Sequence, residues 1–356
     1  VAGLRRSLYL YLAIYITILA VGFIGVSIVA TIYRIGIQDA LKIHMISPFS
    51  DPFSASEILV RFTAIYTVAL GVSIALKAGL WNVGGEGQFL VGAVMTLYIA
   101  KYLSTPSPAM TMTLMILGAV FFAMLWAAPP AILKARFGVN EIVTTLLLNI
   151  VASSFTLYAL DGPIRGSGSF GYLISDVLPP SLRLPVLLRL PMISGGEVSW
   201  VDTRLSYAIV ITLILAVILH ILFERTPLDT HLGVIARDWM IASYAGIDVQ
   251  RYVIGVMLLA GALAGLAGAL HVMGVLYRFD SGQIDHGFGY LGVLAAALGR
   301  ASIAGTALSS LFISFLVIGG EALQKATGAT YAITWVAVGL MMFTTAVTEA
   351  LRVRRP

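Results

Sequence analysis

The chain has 356 residues, 59% of them hydrophobic and only 11% charged, with a mean hydropathy of +0.95. A soluble domain carries roughly a quarter charged residues, so this composition excludes an ordinary soluble fold and predicts a single helical membrane domain over 1–356. The net charge of +5 comes without a basic cluster, which excludes a nucleic-acid partner, and the absence of cysteine excludes disulfides, thiolate metal sites and thiol nucleophiles.

Apolar runs predict an all-α polytopic protein of about ten spanning helices, at 8–33, 58–78, 88–103, 110–133, 139–160, 205–223, 252–275, 289–300, 302–323 and 329–350. The first run is too long for the apolar region of a secretory signal and reads as a retained helix. With ten passes, Arg5, Arg6, Lys134, Arg136, Arg352, Arg354 and Arg355 fall on one side. That side is the cytoplasm by the positive-inside rule, so both termini lie there.

Residues 79–88 read Gly79-Leu-Trp-Asn-Val-Gly-Gly-Glu-Gly-Gln88, and they crowd glycine and polar groups where a spanning helix would carry Leu or Val. Irregular backbone at membrane depth survives only inside protein or beside a water-filled cavity, so a broken helix next to a polar pathway is the first expectation. The segments 88–103 and 289–300 both fall short of the roughly 20 residues that cross the hydrocarbon, and each follows a Gly-rich polar stretch. Such a pair marks the central pathway of a transporter. Glu86 has two readings: a pathway residue that bonds substrate hydroxyls, or a first-turn carboxylate that offsets its own helix dipole. Asn82 and Gln88 likewise bond either the broken backbone or cargo.

Asn140 and Glu141 open the next run, as helix cap and first-turn acid or as functional polar groups. Asn149 lies deeper and reads as a bond to a neighbouring helix or to cargo. Residues 161–204, rich in Gly, Ser and Pro, form an outer loop. Residues 224–251 form an inner one, in which Val234, Ile235, Trp239, Met240 and Ile241 predict a short amphipathic helix at about 235–245, approached through Pro227 and Gly233 and stopped by Gly246. Its Trp and Ile favour docking into a partner's groove, and its mixed charge disfavours a helix lying on lipid.

Gly261, Gly265 and Gly268 form a small-residue face for close helix packing, within this chain or between two. His220 and His271 read as interfacial residues, and no metal-ligand spacing exists. Asp280, Gln283, Asp285 and His286 form either the outer mouth of a pathway or an exposed turn.

Three fragments in order, Gly79-Leu-Trp-Asn-Val-Gly-Gly-Glu-Gly-Gln88, Gly138-Val-Asn-Glu-Ile-Val143 and Ala242-Ser-Tyr-Ala-Gly-Ile-Asp248, resemble the inner-membrane permeases of ribose/galactose-type ABC importers. The branch most similar is the nucleoside-type permeases that work with a basic-membrane-protein lipoprotein. Gly261-Ala-Leu-Ala-Gly-Leu-Ala-Gly268 and Leu298-Gly-Arg-Ala-Ser-Ile-Ala-Gly305 extend the likeness over about 71–320. One departure is Gly299-Arg300, where the family carries a Gly pair.

The resemblance implies a plasma- or inner-membrane permease that carries a nucleoside or simple sugar, with no cofactor of its own. It implies three partners: a cytoplasmic ABC ATPase, a second permease subunit (a sister chain over an identical copy) and an extracytoplasmic substrate-binding lipoprotein. It makes 234–251 the ATPase-facing element, carried here by Val234, Ala236, Arg237, Asp238, Trp239, Ala242, Tyr244, Ala245, Gly246 and Ile247. Trp81, Asn82, Glu86, Gln88 and Asn149 are the expected pathway residues. The chain lacks a phosphate-binding G-x-x-x-x-G-K-[ST] loop, so ATP hydrolysis must come from the partner. The alternative is an ion-coupled transporter with broken helices, for which Glu86 and Glu321 would be the titratable groups.

Overall fold

The computed structural model describes Ser27, Thr31 and residues 33–194 and 197–328. The expected spans 8–33 and 329–350 lie outside these residues, apart from a few positions. Among the described residues, eleven α-helices follow in order: α1 (Ile37–Ile46), α2 (Pro52–Lys77), α3 (Gly85–Tyr102), α4 (Pro108–Phe137), α5 (Glu141–Asp161), α6 (Ala208–Glu224), α7 (Leu228–Arg237), α8 (Trp239–Tyr244), α9 (Val249–His271), α10 (Phe288–Leu298) and α11 (Ile303–Thr327). Among the described residues, five are long and apolar enough to cross a membrane: α2, α4, α5, α9 with its continuation to Leu276, and α11. A sixth appears if α6 and α7, bent by 69°, count as one span.

The chain divides into two compact units, Leu59–Leu311 and the segments on either side of it. In the flanking unit, α1 carries buried Ala40, which packs with Leu323, and Phe49 stacks on Phe315 at 5.5 Å. Asp51 starts α2: its carboxylate accepts from the Ser54 amide at 2.9 Å and the Ser54 hydroxyl at 2.7 Å, with Pro52 in the first helical position. The Ser54 bonds hold the Asp51 carboxyl below its usual range.

In the larger unit, burial separates centre from periphery. The most apolar stretch of α2 is 94% buried and that of α9 78%, against 28% for α4 and for α5. The open faces of α4, α5 and α6 carry Leu117, Phe121, Leu125, Leu147, Ile150, Val217 and Ile221. In water faces this apolar would be docking or aggregation surfaces. The centre is dense because small residues meet: Gly261 lies on Ala123 and Ala127 of α4, Gly265 on Ala119 and Ala123 of α4 and on Gly92 of α3, and Gly268 on Phe89 and Ala93 of α3. Buried hydroxyls add bonds that lipid could not supply, with Thr67 and Thr212 at 2.7 Å and Ser73 and Thr306 at 2.8 Å.

Three expectations change. The fold is not purely helical: Arg189–Ser194 (β1) and Glu197–Asp202 (β2) pair antiparallel within the outer connection. That connection is also folded down on the C-terminal side of α9, where Leu184 bonds Met273, Leu178 bonds Tyr277 and Ser175 bonds Phe279 through backbone amides. The amphipathic helix at 235–245 is two helices, α7 and α8. Asp238 is extended (φ −161°), and its carboxylate caps α8 by accepting from Met240 N at 2.6 Å and Ile241 N at 3.2 Å. Gly233 therefore sits inside α7, whereas Gly246 (φ +80°) does follow α8.

Candidate functional site

The break between α2 and α3 begins where Leu80 N reaches back to Ala75 O at 3.0 Å, closing α2 around a left-handed Gly79. The chain then runs irregularly to Gly85. Nearly every polar group in this stretch meets a protein partner. Asn82 and Gln88 pair through both amides, Nδ2 donating to Oε1 at 2.9 Å and Nε2 to Oδ1 at 3.2 Å, while Gly84 N also donates to Asn82 Oδ1 at 3.1 Å. Asn149 of α5 closes the other side: its Oδ1 accepts from Gly87 N at 2.9 Å, and its Nδ2 donates to Val83 O at 2.9 Å and to the Tyr290 hydroxyl at 3.2 Å. Asn82, Gln88 and Asn149 are 0%, 1% and 2% exposed, so this is a sealed polar hub. Each bond satisfies a group whose burial would otherwise cost several kcal/mol in hydrocarbon.

Glu86, in the first turn of α3, directs Oε2 at the amide of Gly289 in the first turn of α10, at 2.6 Å. The two short helices that follow Gly-rich stretches therefore meet N-terminus to N-terminus, with one carboxylate between them. A β-carbon on Gly289 would fall on the backbone of Glu86, so only glycine admits this approach. Helix N-termini carry partial positive charge, and Glu86 answers both. The carboxylate thus caps the partner helix as well as offsetting the dipole of its own.

A second set of contacts joins this hub to α7 and α8. Gly138, left-handed at φ +67°, ends α4, and the Asn140 side chain caps α5 by accepting from Ile142 N at 2.9 Å. That tight corner brings Lys134 Nζ to 2.8 Å from Glu141 Oε2. The other oxygen of Glu141 accepts from Trp81 N at 3.3 Å, and the Lys134 ammonium lies 5.6 Å from the Trp239 ring centroid. Helix α7 is anchored by Leu232 and Ile235, 0% and 1% exposed, and by Lys77, which pairs with Asp229 at 2.7 Å and Glu224 at 3.5 Å. Glu224 also caps α11 through Ile303 N at 2.8 Å.

Of the residues expected to face an ATPase, Ala242 is buried, Val234, Trp239 and Ile247 are half-buried, and Ala236, Arg237, Asp238, Tyr244, Ala245 and Gly246 are exposed. Met240, expected on the amphipathic helix but not among the ATPase-facing residues, forms with Ile241 and Tyr244 an apolar face that is 66%, 60% and 86% exposed. Tyr290 was missed, although its position next to Gly289 in the second Gly-rich break was a signal.

His271, expected as an interfacial residue, is buried within the protein. It is 4% exposed and lies against Phe288 and Phe89 at 4.7 and 6.0 Å between ring centroids, whereas His220 pairs with Glu224 at 2.7 Å. Asp280 caps its own turn through Gly282 N at 2.9 Å. Among the described residues, no group of three or more His, Cys, Asp or Glu side chains is placed to hold a metal ion.

Residues 54–346 match the family described as branched-chain amino acid transport system / permease component. The chain is 31% identical to the glucose ABC transporter permease protein TsgB13 of Haloferax volcanii, over 91% of this chain and 83% of that one. It is 27% identical to the guanosine ABC transporter permease protein NupP of Bacillus subtilis, covering 85% and 84%. It is also 27% identical to the nucleoside ABC transporter permease protein NupB of Lactococcus lactis, covering 79% and 76%. No solved structure matches the chain.

Proposed function

We propose, from the premise that the chain belongs to the branched-chain amino acid transport system / permease component family and is a permease subunit of an ABC transporter, that it imports a neutral nucleoside or simple sugar. The observation that carries the choice of cargo is the Glu86 carboxylate between two helix N-termini. In broken-helix transporters such N-termini bind the anionic group of the substrate. Here the protein supplies the anion itself, which leaves no call for a carboxylate or phosphate on the cargo. That fits the glucose, guanosine and nucleoside named for the relatives better than the amino acid named for the family.

Trp81, Asn82, Glu86, Gln88 and Asn149 are, on this reading, the closed joint of the pathway: cargo passes when the hub parts, and the paired amides then offer their donors and acceptors to it. ATP hydrolysis belongs to a separate subunit. Its closure pushes the element at 234–251, docked through Met240, Ile241 and Tyr244, and the bundle turns from inward- to outward-open.

We assign both compact units to a single membrane domain of about ten passes with cytoplasmic termini, and the outer connection 161–204 to the side that meets the binding lipoprotein. A sister permease completes the pore, and lipid covers the open faces of α4, α5 and α6.

The test is uptake by the chain reconstituted with its sister subunit, ATPase and binding lipoprotein. ATP-dependent uptake of guanosine or glucose, absent when the lipoprotein is omitted, is expected. Uptake of leucine in preference to both would overturn the assignment of cargo.

A further inference from the structure

We propose that Glu141 and Lys134 are positioning residues that carry motion of α8 to the helix break at 78–84. The proposal rests on the coupling role assigned above to α7 and α8. The contacts run in series. The Trp239 ring, on the first residue of α8, lies 5.6 Å from Lys134 Nζ; Lys134 Nζ is 2.8 Å from Glu141 Oε2; and Glu141 Oε1 is 3.3 Å from Trp81 N. One carboxylate thus grips a cation that touches the docking helix and, with its other oxygen, the backbone one residue before Asn82.

The parts have the stiffness a relay needs. Lys134 stands on the last turn of α4 and Glu141 on the first turn of α5, across a corner fixed by Gly138 and the Asn140 cap, so neither end can move without the other. The Glu141 side chain is 8% exposed and that of Lys134 22%, so water screens the pair little. Removing either partner leaves the other charge without its ion pair at a site that water reaches little, so the contact resists being parted. A parallel steric contact reaches the same turn: the Cα of Ala236 in α7 lies 3.2 Å from where a β-carbon on Gly79 would be. A push on α7 and α8 therefore arrives at 79–82 by two routes, and only the route through Glu141 depends on charge.

A simple surface role for Lys134, as a cation at the C-terminus of α4, would require neither the Trp239 ring nor the carboxylate. The carboxylate also explains why Glu141 follows the Asn140 cap. The Asn140 cap already accepts from Ile142 N and Val143 N, whereas Glu141 directs both of its oxygens away from that turn.

The test uses the full permease–ATPase complex in lipid nanodiscs. Because the chain has no cysteine, Val83→Cys gives a single labelling site at the break. Trapping the ATPase with ATP and vanadate is expected to change the maleimide labelling rate by about fivefold or more. Glu141→Gln is expected to shrink that change below about twofold while the ATPase still co-purifies, and Lys134→Met, at a partly exposed position, to do the same where the first variant folds poorly. The double variant is expected to be no worse than either single one.

The exchange Lys134→Glu with Glu141→Lys restores an ion pair but offers Trp81 N no acceptor, so the response is expected to stay lost. Full recovery in the exchange, or an unchanged response in Glu141→Gln, would overturn the relay alone. No response in the Val83→Cys background would overturn the coupling role and the relay with it.

Discussion

Gly289 donates its amide hydrogen to Glu86, 203 residues away in sequence, at 2.6 Å, and this bond joins the N-termini of the two short helices. Its removal can be graded. Glu86→Ala leaves the Gly289 amide buried without a partner and is expected to lower stability by about 1–3 kcal/mol. Glu86→Gln keeps an acceptor for the Gly289 amide and gives up the charge's interaction with the helix ends, about 0.3–1 kcal/mol. Gly289→Ala, whose β-carbon would strike the Glu86 backbone, should be the most damaging of the three. Thermal unfolding of the purified chain in detergent checks the order Gln, then Ala at 86, then Ala at 289.

Asn149 tests whether the hub is structural. Asn149→Ala strands Gly87 N and Val83 O together, and a loss of about 2–4 kcal/mol is expected. Asn140→Ala, at an exposed cap of the same helix, is expected to cost about 1 kcal/mol. Equal losses in the two variants would mean that the break at 78–84 does not depend on α5.

Helix boundaries were legible in part: Asn140 caps α5 and the Gly-rich stretch at Gly79 follows α2 as the sequence reading allows, whereas α4 runs on to Phe137, past the expected end at 133, and α2 starts at Pro52 ahead of the expected 58. The shortness of 88–103 and 289–300 was legible too, but their meeting was not, since no local pattern in Glu86 or Gly289 points across 203 positions. The split at Asp238 was missed because apolar spacing continues through it. The signal was an Asp just ahead of Trp239, Met240 and Ile241, a helix-start pattern that periodicity alone overrides. The burial of His271 was not legible, since nothing local in the sequence places the rings of Phe89 and Phe288 against it.

The turn between α10 and α11 carries Arg300 and Ala301 at φ +54° and +58°, where the family resemblance expects a Gly pair at 299–300. Left-handed backbone costs a residue with a β-carbon about 1–2 kcal/mol, partly offset by the extra freedom that glycine gives the unfolded chain. Ala301→Gly is therefore expected to stabilise the protein by about 0.5–1 kcal/mol, read as a higher thermal midpoint. A lower midpoint would mean that the methyl group of Ala301 packs usefully.

Asp176 makes the outer connection acid-sensitive in a defined direction. Its carboxylate accepts from Ser167 N at 2.8 Å and Ser167 Oγ at 3.0 Å, and the backbone bond chiefly holds it below the usual carboxylate range. A lowered folded-state value means that the carboxylate stabilises the loop at any pH above the ordinary Asp value of about 4. That stabilisation fades as pH falls through the folded-state value. Hydrogen exchange at the Ser167 amide should be flat from neutral pH down to about 5 after correction for intrinsic rates, and should accelerate only below about 4. Asp176→Asn should remove that acid-dependent acceleration. Lys101, 3.5 Å away and partly exposed, adds a part that salt screens.

The account depends most on α8 standing free on the cytosolic side to receive the ATPase. With no native cysteine, Tyr244→Cys reports that directly, at a side chain that is 86% exposed. An impermeant maleimide is expected to label it in inside-out vesicles, to leave it unlabelled in right-side-out vesicles, and to be blocked when the ATPase is bound. Labelling from the outer side, or undiminished labelling in the presence of bound ATPase, would contradict the account.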